Sequence, residues 1–290
     1  MGSWTIKQLI GGACAIGAGA AILLVLGGAA AAGVAGPERG GLSSVTLTLP
    51  SPTTPSVRII EARSPGRPLV LIDPGHGGRD PGAAAVSGDV AEKDLTLQLA
   101  LELRDRLASD GRVRIAMTRE DDRYLTLDQR SGLARSLGAS LYVSIHMDSA
   151  PNPLARGATV YSLSDVASDA EAERLAQKEN STVGRAGGSD GSVRAILSDL
   201  VLRSQMNASA NLAERLIRNS QGRVELRPQP HRFADFHVLR STRTPAVLFE
   251  AGYISNADDE AMLRDPEQRS RIVRALAATI EADVASRSVR

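Results

Sequence analysis

The chain has one cysteine, few aromatic residues and almost no net charge. The single cysteine, Cys14, excludes an intramolecular disulfide and a thiolate metal site. A metal would therefore have to be held by histidine and carboxylate side chains. The net charge is +1, and no basic run interleaved with aromatic residues occurs, so we expect no nucleic-acid partner. With 290 residues, 42% of them hydrophobic, the chain can bury one sizeable core and carry accessory segments.

Charge is also missing near the N-terminus, between residues 9 and 36. Lys7 stands just before this apolar run, which is the layout of a secretory signal or an N-terminal membrane anchor. Small residues within the run could form a cleavage site, so residues 1–36 are interpreted as either of the two. Both interpretations export the rest of the chain, and we expect contact with a membrane only through this segment. Residues 37–65, rich in Pro, Gly, Ser and Thr, are interpreted as a linker.

From residue 66 onward, strand patterns alternate with helix patterns. This alternation predicts a single α/β domain, 66–290, with a largely parallel or mixed sheet flanked by helices. The expected strands are 69–73, 113–118, 141–145, 159–163, 236–239 and 246–249. The expected helices are 95–109, 127–137, 167–180, 193–218 and 266–286. The stretch 164–232 is long for one connection and is interpreted as an inserted helical segment.

Three of the expected strands are followed by a residue whose side chain can bind a metal or accept a proton. These residues are His76, His146 and Glu250. Active sites of open α/β sheets gather outside the carboxyl ends of the strands, so we expect the three side chains to meet there. Glu92, in the loop before the expected helix 95–109, can point to the same edge.

Two imidazoles and one carboxylate are the ligand set of a catalytic zinc that keeps one position for water. On this basis His76, Glu92 and His146 are candidate metal ligands, and Glu250 is the candidate base. Each has an ordinary explanation when taken alone, such as a polar loop residue or a carboxylate near a helix N-terminus. Glu250 is harder to explain in this way, because a carboxylate in a buried strand is costly unless it is paired or used. The four together predict a zinc hydrolase.

The order and spacing of several short motifs carry a family resemblance that covers about residues 67–285. The motifs are Ile72-Asp73-Pro74-Gly75-His76-Gly77-Gly78, Asp80-Pro81-Gly82, Glu92-Lys93, Thr118-Arg119, Leu127-Asp128-Gln129-Arg130, Ser144-Ile145-His146 and Glu250-Ala251-Gly252-Tyr253-Ile254-Ser255-Asn256. At these residues the chain resembles the zinc-dependent N-acetylmuramoyl-L-alanine amidases of bacterial cell-wall turnover, including the division-associated type. One departure is Met147, where many relatives carry alanine.

The resemblance implies zinc-ligand roles for His76, Glu92 and His146 and the catalytic role for Glu250. The bond cleaved would join N-acetylmuramic acid to L-alanine in peptidoglycan, for cell-wall turnover and daughter-cell separation. The enzyme would be exported and periplasmic, and anchored in the inner membrane by residues 9–36 if that segment is not cleaved. Candidate partners for stem-peptide carboxylates are Arg79, Arg119 and Arg130. A zinc peptidase cutting within the stem peptide, or a non-catalytic peptidoglycan-binding regulator, remain alternatives.

The segment 164–232 resembles an insertion of the division-associated amidases that blocks the zinc site until an activator protein displaces it. Its first expected helix carries three glutamates that could occupy the open position on zinc, namely Glu171, Glu173 and Glu179. The glycine-rich run 184–191 follows as a hinge. We therefore expect an autoinhibitory role for one of these carboxylates, although an ordinary packing helix explains the same pattern.

Overall fold

The computed structural model describes residues 55–182, 193–240 and 242–287. The predicted signal or anchor, most of the linker and the glycine-rich run 184–191 lie outside the described residues. Among the helices that are described, none is both long and apolar enough to cross a membrane.

The described part of the chain forms a mixed sheet of seven strands. They are β1 (Ile59–Ile60), β2 (Leu69–Pro74), β3 (Arg114–Met117), β4 (Leu141–Asp148), β5 (Ala158–Leu163), β6 (Leu226–Ala234) and β7 (Ala246–Tyr253). Their order across the sheet is β1-β3-β2-β4-β7-β5-β6. The strands β3, β2, β4 and β7 are parallel, whereas β1 and β5 each pair antiparallel with a neighbour. The carboxyl ends of β2, β4 and β7 therefore share one edge of the sheet.

Seven α-helices in the described ranges cover this sheet. They are α1 (Glu92–Asp110), α2 (Leu127–Ser136), α3 (Ala170–Glu179), α4 (Val193–Ser220), α5 (His237–Arg240), α6 (Ala257–Arg264) and α7 (Pro266–Arg287). Capping residues fix the N-termini of α2 and α3. Thr126 and Gln129 form a capping box at α2, and the Asp169 carboxylate caps α3 by accepting from two backbone N–H groups.

Hydrophobic cores lie on both faces of the sheet, because successive residues of a strand point to opposite sides. In β2, Val70 and Ile72 belong to the core that includes α1 and α7, whereas Leu69 and Leu71 belong to the core that includes α2, α3 and α5. A strand buried on both faces has a continuous apolar sequence rather than an alternating one. The single α/β domain with a mixed sheet agrees with the predicted fold class.

The expected strand 236–239 is wrong, since this segment forms most of the short helix α5. The strand of this region is β6, which ends just before it. The sequence of β6 contains Pro228 and Pro230, which lack the N–H that a central strand must donate. β6 lies at an edge of the sheet, where proline is tolerated.

Two further differences concern elements of the C-terminal half. The expected insertion 164–232 contains α3 and α4, but it also contains most of β6. Helix α6 was not predicted. It is short and begins at Asn256, whose side chain accepts hydrogen bonds from two backbone N–H groups.

Candidate metal centre

The turn after β2 presents His76 with a left-handed backbone, φ 59°. Its Nδ1 lies 3.0 Å from Asp80 Oδ2, which orients the ring. The Arg130 guanidinium donates to the backbone carbonyl of His76. Both the ring and the backbone of His76 are therefore held by neighbouring residues.

Two glycines make room for this arrangement. A Cβ at Gly75 would lie 2.4 Å from the imidazole of His146. A Cβ at Gly82, where φ is +70°, would lie 2.6 Å from the Glu92 carboxylate. Glycine is required at both positions because the backbone passes directly against the candidate ligands.

The three predicted metal ligands converge. Glu92 is the first residue of α1 rather than a loop residue as expected. Its Oε1 lies 3.0 Å from His76 Nε2 and 3.2 Å from His146 Nδ1. Its Oε2 accepts from the backbone N–H of Ala83 at 2.9 Å. The carboxylate is thus held by the backbone and faces both imidazoles with one oxygen.

Glu250 lies beside these residues because of strand register. In the parallel pair of β4 and β7, Glu250 is opposite His146. Its side chain is buried, and Oε2 has no hydrogen-bond partner among the described residues. Burial raises the pKa of Glu250 well above its ordinary value, and the negative charges of Asp148, Glu92 and Glu179 raise it further. The strand therefore places a buried carboxyl group opposite His146.

Of the three glutamates expected to restrain the site, Glu179 reaches it. Glu179 Oε2 lies 3.6 Å from His76 Nε2 and 3.7 Å from His146 Nδ1. These three residues offer ligand atoms that all lie within 4.8 Å of one another, a spacing that suits a metal ion. The cavity left between them is about 30 Å³, room for about one or two water molecules.

The other two glutamates of α3 make different contacts. Glu171 pairs with Arg227 and accepts from the Tyr253 hydroxyl. Glu173 is exposed and accepts a hydrogen bond from the Gln177 amide at 3.3 Å. Neither contact involves the imidazoles.

The three candidate substrate arginines occupy different environments. Arg79 is exposed, with its guanidinium 4.2 Å from the ring centroid of Tyr124. Arg119 is buried and donates to the backbone carbonyls of Pro74 and Gly75. Arg130 is also buried and pairs with Asp73 at 2.7 Å. These contacts favour a supporting role for the two buried arginines, beneath the turn that carries His76.

Comparison with known proteins decides the family. Residues 70–282 match the family model described as N-acetylmuramoyl-L-alanine amidase. The chain belongs to this family. N-acetylmuramoyl-L-alanine amidase AmiA of Escherichia coli K12 is 34% identical over 220 residues, which cover 74% of this chain and 75% of that protein. The probable amidase AmiB of Haemophilus influenzae is 33% identical over 211 residues, 70% of this chain and 49% of that protein.

A solved structure supports the same assignment. The catalytic domain of CwlV, an N-acetylmuramoyl-L-alanine amidase from Paenibacillus polymyxa, is 28% identical, with a TM-score of 0.51. The match covers 74% of this chain and 97% of that domain. The match to the Haemophilus relative covers only 49% of that protein. The features that it shares with the present chain therefore lie in the matched region. The predicted family and the predicted enzyme class are confirmed.

The buried pair beneath the His76 turn gives a prediction about the stability of this amidase. Asp73→Ala is expected to lower the free energy of unfolding by about 3–5 kcal/mol, because it leaves the buried Arg130 without its counterion. Asp121→Ala breaks the more exposed pair with Arg123 and should change it by less than ~1 kcal/mol. Denaturant titration measures both values. Equal effects of the two substitutions would contradict a structural role for the Asp73–Arg130 pair.

Four residues around the centre of the amidase were not predicted. They are Asp148, Arg227, Arg232 and Tyr253. Burial raises the pKa of Asp148 to about 6. Asp148 follows His146 by two positions in β4, so strand alternation could have indicated it. No sequence pattern indicated the two arginines, because their contacts with the α3 region join residues that are far apart along the chain.

Proposed function

We propose that this amidase uses zinc to hydrolyse the amide bond between N-acetylmuramic acid and L-alanine in peptidoglycan. The observation that carries the proposal is the convergence of His76, Glu92 and His146 beside Glu250. The family match and the names of the relatives agree with this bond.

The donor atoms fit a zinc ion. Imidazole nitrogens and a carboxylate oxygen are its usual ligands in hydrolases. His76 Nε2 is buried and makes no well-aligned hydrogen bond in the described ranges, although Glu92 Oε1 lies 3.0 Å away. Burial alone would lower the pKa of His76, but the charge of Glu92 and the hydrogen bond with Asp80 raise it to about 10. An anionic pocket of this kind favours a cation, so we assign zinc to His76, Glu92 and His146.

The chemistry divides between the metal and Glu250. When bound, zinc polarises the scissile carbonyl and acidifies water. Glu250 then takes a proton from the attacking water and delivers it to the leaving amine of L-alanine. Burial and the neighbouring negative charges raise the pKa of Glu250, which strengthens it as a proton acceptor. The hydrogen bond between His76 Nδ1 and the Asp80 carboxylate keeps the imidazole ring in place.

The products of digestion test this proposal. Purified peptidoglycan would be incubated with the protein, with added zinc and after chelation, and the soluble products analysed by mass spectrometry. Stem peptides with a free L-alanine amine support the proposal. Cuts within the stem peptide would identify a zinc peptidase instead. If no zinc-dependent product forms, either with the parent or with the Glu179→Ala variant, the protein is a non-catalytic regulator.

We further propose that the described conformation is autoinhibited through Glu179. Glu179 Oε2 lies 3.6 Å from His76 Nε2 and 3.7 Å from His146 Nδ1, close enough to bind a metal that these imidazoles would hold. The cavity of about 30 Å³ is also far too small for a muropeptide. An activator protein that binds the segment 164–232 would favour the state in which α3 has left.

Glu179→Ala is expected to raise hydrolysis without an activator by roughly tenfold or more, since a bias of ~1.4 kcal/mol between two states gives this factor. Glu173→Ala is the matched control, because Glu173 lies on the same helix, is exposed and does not contact the imidazoles. Rates of dye release from labelled peptidoglycan measure both variants at equal zinc content. If both variants have the parent rate, Glu179 does not restrain the site.

The cellular setting is also a proposal. An exported enzyme acting on periplasmic peptidoglycan fits the apolar segment 1–36 and the names of the relatives. Separation of daughter cells is the process we propose, with the residues between that segment and β1 serving as the linker to the catalytic domain. Cells lacking the protein are expected to remain joined in chains, and normal separation in all growth conditions would argue against this role.

A further inference from the structure

The carboxylate of Glu171 lies in a site made of two arginines and a tyrosine. Arg227 contacts both carboxylate oxygens, Nη1 to Oε1 at 2.9 Å and Nη2 to Oε2 at 3.3 Å. The Tyr253 hydroxyl donates to Oε1 at 3.0 Å, and Arg232 Nη2 donates to Oε2 at 3.3 Å. A two-pronged arginine contact is the geometry by which proteins recognise planar carboxylates.

The site holds Glu171 firmly as an anion. Burial disfavours the charged form of Glu171, but hydrogen bonds from Arg227 and Tyr253 outweigh this effect and lower its pKa to about 2. All three donor residues belong to the sheet, since Arg227 and Arg232 lie on β6 and Tyr253 ends β7. The anion comes from α3, whereas the site itself remains when α3 leaves.

Departure of α3 would leave two guanidinium groups without their anions. Arg232 also pairs with Asp169, which caps α3 and would leave with the helix. The side chains of Arg227 and Arg232 are only 19% and 8% exposed. These values hold with α3 in place, so departure of the helix would uncover both guanidinium groups and leave them able to pair with another anion.

The position of this site relative to the metal centre suits a peptide. Tyr253 follows Glu250 on β7 by about 10 Å, at ~3.3 Å per strand residue. On α3, Glu171 and Glu179 are separated by about two helical turns, ~12 Å. The helix therefore presents two carboxylates, one at the imidazoles and one at the arginines. An extended peptide covers the same distance with roughly three to four residues.

A cavity lies beside the carboxylate site and reaches Asp148 of β4. Its volume is about 480 Å³, within the range of small-ligand sites, and its lining includes Asp148, Glu171 and Arg227. Arg174 and Lys178 of α3 also line it. Removal of α3 would take away these α3 side chains and open the space between Asp148 and Arg227.

We propose that Arg227, Arg232 and Tyr253 form a substrate subsite that binds a stem-peptide carboxylate roughly three to four residues from the scissile bond, and that Glu171 occupies it in place of substrate. This inference rests on the proposed amidase function and on the release of α3. The inhibitory helix then resembles the substrate at two points, with Glu179 at the reaction centre and Glu171 at the distal carboxylate position.

The test uses the full chain carrying Glu171→Ala and Glu179→Ala, so that neither carboxylate of α3 competes with the substrate in the proteins compared. The substrates are N-acetylmuramoyl tetrapeptides whose carboxylates beyond the second residue are either free or converted to amides. Arg227→Gln is expected to raise KM for the free acid roughly tenfold or more, the scale of a lost charge-assisted hydrogen bond, with little change in kcat. KM for the amide substrate should not change.

Arg174→Gln is the matched control, because Arg174 lines the same cavity but belongs to α3. It should leave both KM values unchanged. Arg227→Lys keeps the charge but loses the two-pronged contact, and it should give a smaller increase. This variant also replaces the glutamine variant if the latter does not fold.

The subsite is also tested by binding alone. Calorimetric titration of the Glu171→Ala/Glu179→Ala/Glu250→Gln protein with the free-acid tetrapeptide should show affinity that Arg227→Gln weakens by the same factor. If Arg227→Gln has no effect on KM or affinity, or affects acid and amide substrates equally, Arg227 serves only to hold α3 and the inference is wrong. Binding that depends on Arg227 without hydrolysis of any substrate would contradict the proposed function but not the subsite.

Discussion

Replacing Glu250 with glutamine is expected to reduce hydrolysis by roughly 10²-fold or more, the scale of losing a general base. Glutamine keeps the shape of the side chain but cannot take the proton from water. The substitution should not harm folding, because Glu250 is buried among like charges and its Oε2 has no hydrogen-bond partner in the described part of the chain. Zinc content should remain that of the parent.

The measurement needs a background in which Glu179 no longer occupies the site, so the comparison is made in Glu179→Ala protein. Single-turnover rates on labelled peptidoglycan are measured together with zinc content. Glu260→Gln is the control for loss of a buried carboxylate, since Glu260 accepts from Ser87 instead of facing the imidazoles. Near-parental turnover in Glu250→Gln would move the base role to another group, with Asp148 the next to examine.

Replacing His146 with alanine is expected to remove most of the bound zinc and, with it, the hydrolysis. Three protein ligands leave little redundancy, and loss of one removes a third of the donors. His237→Ala is the matched control. His237 Nε2 pairs with Asp128 Oδ1 at 2.8 Å instead of with a candidate ligand, so its loss should leave zinc content intact.

Zinc content is measured by mass spectrometry after dialysis, together with the melting temperature with and without added zinc. The parent and the His237 variant should be stabilised by zinc, because a ligand that binds only the folded state raises stability. The His146 variant should show no such stabilisation. Stoichiometric zinc in the His146 variant would contradict its assignment as a ligand.

The central part of the fold was predictable from sequence for a clear physical reason. The strands buried on both faces, such as β2 and β4, need continuous apolar runs, and such runs are visible in any single sequence. The edge strand β6 was not predicted, because edge strands need neither apolar continuity nor a full set of N–H donors. The short helix α5 was mistaken for a strand for a related reason, since a run of four residues has no readable period.

The convergence of the candidate site residues was predictable for a different reason. His76 follows β2, and His146 and Glu250 lie in the C-terminal halves of β4 and β7, so strand direction brings them toward one edge. The sequence did not indicate which of the three glutamates reaches the imidazoles, because this depends on how α3 packs against the rest of the domain. The contact of Glu171 with Arg227 joins an inserted helix to an edge strand, so it required the folded structure.

The order of strands also separates the candidate catalytic residues from the segment that is proposed to control them. The predicted ligands and the base come from β2, β4, β7 and the start of α1, with His146 and Glu250 opposite each other at a strand spacing of ~4.8 Å. The segment that carries Glu179 emerges between β5 and β6, the two strands at one margin of the sheet. Backbone hydrogen bonds at the centre keep the distance between ligand and base, whatever happens at that margin. Changes in the length or sequence of the segment between β5 and β6 therefore need not move the predicted ligands or the predicted base.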